Sequence, residues 1–230
     1  MDAKHQQQQG ALVEPVKIPK MKIAGDKVAG INAFAISFAV FFGAMTIFSA
    51  IAGFTKGDWS FGIPFMGAAF ANVGLASTLI TGLLAVVFAV IGLVTIGKIT
   101  DRESLTKSWN AISKVFFVLT CIYVMSMVGI ALYSLFALGK KGLDHGDLWL
   151  SSFLPNFITA VVAGVMAYMS KMIAGGKTAV LRALSIVAIG VASIGLVLVI
   201  VQTLVGFYGE KSSSSSSYED YYQDILDYFK

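Results

Sequence analysis

Charge is what this chain lacks most. Only 13% of its 230 residues are Asp, Glu, Lys or Arg, against about 25% in an ordinary soluble domain. Hydrophobic residues make up 57%, more apolar surface than a soluble fold of this length can bury. Cysteine is almost absent too. Cys121 stands alone, which excludes an intramolecular disulfide, a zinc finger and a paired redox thiol.

The residues that carry catalysis are equally scarce. Histidine occurs twice, as His5 and His145. Asp144, His145 and Asp147 cluster in KKGLDHGDLW, but three candidate ligands without a fourth describe a solvated loop better than a metal centre. There is no H-E-x-x-H and no G-x-S-x-G. AGGKTAV ends like a phosphate-binding loop, yet the first glycine of that pattern would fall at Lys171. No catalytic residue, metal or cofactor is expected, and the chain reads as a non-enzyme.

What is present is a set of long charge-free runs. Lys27 to Lys56, Asp58 to Lys98, Lys114 to Lys140, Asp147 to Lys171 and Arg182 to Glu210 each bracket a stretch free of Asp, Glu, Lys and Arg. Each is long enough to cross a bilayer, which takes about 20 apolar residues. Lipid gives the backbone no hydrogen-bond partner, so each run must be helical. The expected fold is all-α, an integral membrane bundle of about five transmembrane helices near 30–54, 73–97, 115–138, 150–170 and 183–208. Pro155 suits the first turn of the fourth, where a missing amide is harmless. WSFGIPFMGAAFA, broken by glycine and Pro64, reads as an interfacial or re-entrant segment before the second.

The distribution of Lys and Arg orients the bundle. With the amino terminus in the cytoplasm, Lys4, Lys17, Lys20, Lys22, Lys27, Lys98, Arg102, Lys107, Lys114, Lys171, Lys177 and Arg182 all fall on that side. Lys56, Lys140, Lys141, Lys211 and Lys230 fall opposite. The positive-inside rule then predicts an N-terminus on the cytoplasmic side and a C-terminus on the extracytoplasmic side. The net charge of +4 is a surplus on the cytoplasmic side, suited to anionic lipid and not to nucleic acid. Three regions follow: a mobile basic leader over 1–27, the bundle over 28–209, and a serine linker with an acidic, aromatic amphipathic helix over 210–230.

Small residues mark the helix-packing faces. Ala35, Ala39 and Gly43 repeat along the first span, Ala160 and Gly164 along the fourth, and Ala188, Ala192 and Gly195 along the fifth. Small residues at this spacing let backbones approach closely in lipid. Asn72, Asn156 and Gln202 are the polar residues read as intramembrane, toward the outer leaflet, where they would form an interhelical hydrogen-bond cluster or line a shallow outward pocket.

The run SWNAISKVFFVLTCIYVMSMVGIALYSLFAL, the short outer loop, SFLPNFITAVVAGVMAYM, the basic turn before Leu181 and Arg182, and the closing apolar span together resemble an uncharacterised family of small bacterial polytopic membrane proteins. The resemblance covers residues 30–208. It implies a bacterial cytoplasmic membrane and carries no site residue.

The tail falls outside that resemblance. In SSSSSSYEDYYQDILDYFK, Tyr218, Tyr221, Tyr222, Ile225, Leu226 and Phe229 fall on one helical stripe, with Asp220 and Asp224 among the acids beside it. This pattern predicts a short docking helix whose aromatic stripe fills an apolar groove and whose acids meet a basic rim. The expected function is a structural or interaction protein, a membrane anchor or complex subunit with a protein partner or a second copy of itself. The alternative is a small channel or transporter component for a neutral or apolar solute.

Overall fold

In lipid a helix must satisfy its own backbone, so helix length follows from where the apolar sequence permits embedding and where polar caps stop the spiral. The computed structural model describes residues 20–55, 75–99, 101–137 and 149–228, with side chains described over 25–55, 78–99, 101–136, 149–150 and 152–205. Every regular element among them is helical: α1 (Lys20–Phe54), α2 (Leu75–Ile96), α3 (Arg102–Ala137), a π-helical turn (Trp149–Phe153), α4 (Leu154–Ala174) and α5 (Thr178–Tyr228). Five stretches are long and apolar enough to cross a membrane: Gly25–Phe54, Thr78–Ile96, Arg102–Phe136, Leu154–Ala174 and Thr178–Val205. This is the make-up of a multi-pass membrane protein. The leader before Lys20, the segment Trp59–Ala71, Asn72 and the His145 loop lie outside the described residues.

Helix directions alternate along the chain. Asp26 meets Ser104 and Phe41 meets Phe116, so α1 and α3 run parallel. Asn32 meets Gly92 and Thr46 meets Gly82, so α1 and α2 run antiparallel. Ser113 of α3 bonds Ala167 of α4, and Thr120 lies against Gly164, giving a second antiparallel pair. Gly43 faces Ala192 and Gly53 faces Gln202, which makes α5 parallel to α1. The start of α1 and the far end of the α5 span therefore lie at opposite ends of the bundle.

The central helix is α1, which packs against all four others, while α3 and α4 form a close pair beside the α1–α2–α5 group. In its most apolar window 56% of residues are buried, against 17% for α3, the most lipid-facing of the five. One apolar cluster runs through the bundle, joining Ile36, Ala39 and Phe41 of α1 to Trp109 and Phe116 of α3, Met166 and Ile173 of α4, and Leu184 and Ala188 of α5. Large apolar side chains point outward from every helix, among them Phe34, Val90, Phe117, Tyr168 and Ile194. In a bilayer those positions need no other cover.

Two helices start earlier than their apolar runs. The start expected for the first span is residue 30, yet α1 is helical from Lys20; α3 starts at Arg102, not 115. Charge ends an apolar run but not a helix. In α3 the added turns stay amphipathic, with Leu105 and Trp109 buried and Arg102, Lys107 and Lys114 exposed. Asp101 caps them: its Oδ1 accepts from the Glu103 amide at 3.0 Å and its Oδ2 from the Ser104 hydroxyl at 2.7 Å. The same hydroxyl reaches Asp26 Oδ1, tying the start of α3 to α1.

The connection before the fifth span is far shorter than the twelve or so residues expected. Gly175 closes α4, its amide donating to Lys171 O at 3.0 Å, and Gly176 follows at φ +92°. The Lys177 amide returns to Met172 O at 3.2 Å, and α5 begins at Thr178. The lookalike phosphate loop is a helix-terminating turn in which glycine supplies the left-handed residue. Pro155 lies in the first turn of α4, as its missing amide requires.

Candidate functional site

The seat of α5 on α1 is built from residues with almost no side chain. Ala35, Ala39, Ala188 and Ala192 are all fully buried. A Cβ placed on Gly43 would meet the backbone nitrogen of Ala192 at 3.1 Å and its Cα at 3.2 Å. One on Gly195 would meet the Gly43 carbonyl oxygen at 3.2 Å and Thr46 Cβ at 3.3 Å. The two backbones touch, and neither glycine has room for more. On α4 the small residues are packed less tightly. Ala160 is buried, but Gly164 meets only the Thr120 side chain, at an ordinary 3.7 Å.

Above that seat Gln202 lays its side-chain amide across Gly53 of α1, where any β-carbon would collide with it. Asn156 donates to Ser152 O at 2.6 Å, within the turn that opens its own helix. Of the three polar residues expected to cluster, Asn156 thus bonds locally, Gln202 packs on α1, and Asn72 lies outside the described residues.

The interhelical hydrogen bond that joins α1 to α2 comes from a residue outside that set. Asn32 is fully buried, and its amide nitrogen donates to Gly92 O at 2.6 Å and to Thr95 Oγ1 at 3.1 Å. Asn32 sits in an alanine-rich stretch at the start of the first span, near Ala29, Gly30 and Ala33. A lone amide among small residues in an otherwise apolar run was the available signal. Its main partner, a backbone carbonyl, has no sequence signature.

Beyond Val205 the backbone of α5 does not break. It continues as helix through Ser212–Ser217 to Tyr228, so the linker expected there is itself helical. Serine costs a helix only about half a kcal/mol relative to alanine. A helix already formed in the membrane avoids the nucleation penalty that makes short isolated helices marginal. Tyr218, Tyr221, Tyr222, Ile225 and Leu226 ride on this extension, as do Asp220 and Asp224, while Phe229 lies just past the described end. Among the described residues no group of three His, Cys, Asp or Glu stands close enough to hold a metal ion.

No family model, curated protein or solved structure matches this chain.

Proposed function

We propose that this protein is a structural subunit of a membrane assembly, a multi-pass anchor whose fifth helix carries a docking stripe out of the bilayer. One observation carries the reading: α5 is a single helix from Thr178 to Tyr228, of which only Thr178–Val205 is the apolar span. The remainder extends about 35 Å at 1.5 Å per residue. Along it the aromatic and aliphatic positions of the tail repeat every three or four residues, with acids beside them. A partner that fits would offer an apolar groove edged by Lys or Arg. The close packing of α5 against α1 supports an anchoring role over a solute path between those two helices.

The distribution of Lys and Arg supports a cytoplasmic start and an extracytoplasmic tail. This role requires no catalytic group. The test is affinity purification from native membrane in mild detergent. Deleting residues 212–230 abolishes recovery of the associated protein, and Tyr222→Ala and Ile225→Asp each reduce it. If all three variants leave every association and the purified size unchanged, the extension is not a docking element.

A further inference from the structure

On α1, α3 and α4, three buried polar groups, Ser37, Trp109 and Ser170, have no hydrogen-bond partner. On α1, Ser37, Phe41 and Met45 recur every fourth residue and so share a face. Phe41 meets Phe116 of α3 with ring centroids 5.4 Å apart, and Met45 accepts from Thr159 of α4 at 3.6 Å. That face therefore looks into the α3–α4 pair, and Ser37 with it. On α3, Trp109 lies one turn before Ser113, whose hydroxyl donates to Ala167 O at 2.9 Å. On α4, Ser170 lies one turn after Ala167. The two helices are antiparallel, so Trp109 and Ser170 stand at the same level, and the parallel run of α1 and α3 brings Ser37 to within about a turn of both.

Trp109 and Ser170 are 0% exposed and Ser37 is 3% exposed. Trp109 Nε1, Ser37 Oγ and Ser170 Oγ nevertheless have no hydrogen-bond partner. Ser126 of α3 is likewise buried without a partner, but several other buried or part-buried hydroxyls turn back to the carbonyl four residues earlier. Thr46, Thr120, Thr159, Ser185 and Thr203 all do so, at 2.7–2.8 Å. Ser37 and Ser170 do not, and an indole N–H can only donate. A donor within about a turn of two hydroxyls, each able to donate and accept, is the chemistry that a buried water satisfies with its usual three hydrogen bonds.

We infer that the α1–α3–α4 junction is a water-binding site, in which one bound water accepts from Trp109 Nε1–H and bridges the hydroxyls of Ser37 and Ser170. The site lies beside the polar end of α3 and apart from the α1–α5 seat and the α5 extension. Its failure would leave the docking role intact.

Radiolytic footprinting in oxygen-18 water reads such a site directly, because hydroxyl radicals formed from a held water attack the nearest side chain. In the native protein in detergent, Trp109 should be oxidised several-fold faster than Phe116, which is 6% exposed, after correction for intrinsic reactivity. Ser37→Ala combined with Ser170→Ala should lower that rate at least about threefold by removing two of the water's partners. Ser113→Ala should leave it unchanged. A native Trp109 no more reactive than Phe116 overturns the inference, and that outcome needs no variant to fold. Undiminished labelling in the double variant overturns it as well, since the water would then be held by other groups.

Discussion

A single hydrogen atom separates Gly43 from disaster at the α1–α5 contact. Any β-carbon there presses on the backbone of Ala192, at distances of 3.1 and 3.2 Å, and helix backbone cannot swing aside as a side chain does. Phe42, its neighbour, is 38% exposed and stacks on Phe38. Gly43→Ile should therefore destabilise the detergent-solubilised protein by about 2–3 kcal/mol or more, as overpacking does. Phe42→Ile should cost about 1 kcal/mol, the scale of a lost aromatic pair. Thermal unfolding followed by size exclusion compares them, and equal losses would mean that the glycine contact contributes nothing. The spacing of Ala35, Ala39 and Gly43 was legible because small residues have few other reasons to repeat every fourth position. The partner of Asn32 was not legible, because its bond to Gly92 O depends on which carbonyl of α2 comes opposite.

Helices carry the next lesson, since their membrane-crossing parts could be read and their ends could not. Burying a charge in lipid costs several kcal/mol, so the charge-free runs located five spans. No such penalty governs helix outside the membrane, where capping and tertiary packing decide. Asp101 and Ser104 start α3 well before its apolar run, and the turn at Gly176 shortens the link before α5. The serine run is the plainest case. Its composition suggests a flexible tether, yet the preceding span supplies a nucleus from which the helix propagates. Spin labels at Val205 and Tyr228 test this by pulsed electron-electron distance measurement. A continuous helix gives a narrow distribution near 35 Å, about 1.5 Å for each intervening residue. Ser215→Pro should broaden it, since proline removes one helical hydrogen bond and clashes with the preceding turn. A broad distribution in the native sequence would restore the tether.

For the whole molecule, five alternating helices leave the start of α1 and the end of the α5 span on opposite faces. Which face is cytoplasmic rests on Lys and Arg, which gather at the end that holds Lys98, Arg102, Lys107, Lys171, Lys177 and Arg182. A reporter inserted at Thr106 should behave as cytoplasmic and one fused after Lys230 as extracytoplasmic. The reverse pattern at both sites would invert the orientation and place the aromatic stripe of the tail inside the cell. Two reporters on the same side would contradict the alternation of the helices themselves.

The unbroken course of α5 also has a mechanical consequence. A rod clamped along its first half, with a free arm of about 35 Å, is a lever whose fulcrum is the crossing of Gly43 and Gly195. Backbone contact at that crossing allows little slack, since the Gly43 carbonyl already lies 3.2 Å from where a Gly195 β-carbon would stand. Tilting the helix about that crossing by about 10° would carry Tyr228, about 50 Å away, some 9 Å, while the fulcrum would have to yield by only a fraction of that. Force applied at the tyrosines would thus reach α1, the helix against which the other four are packed, as torque on the middle of the bundle.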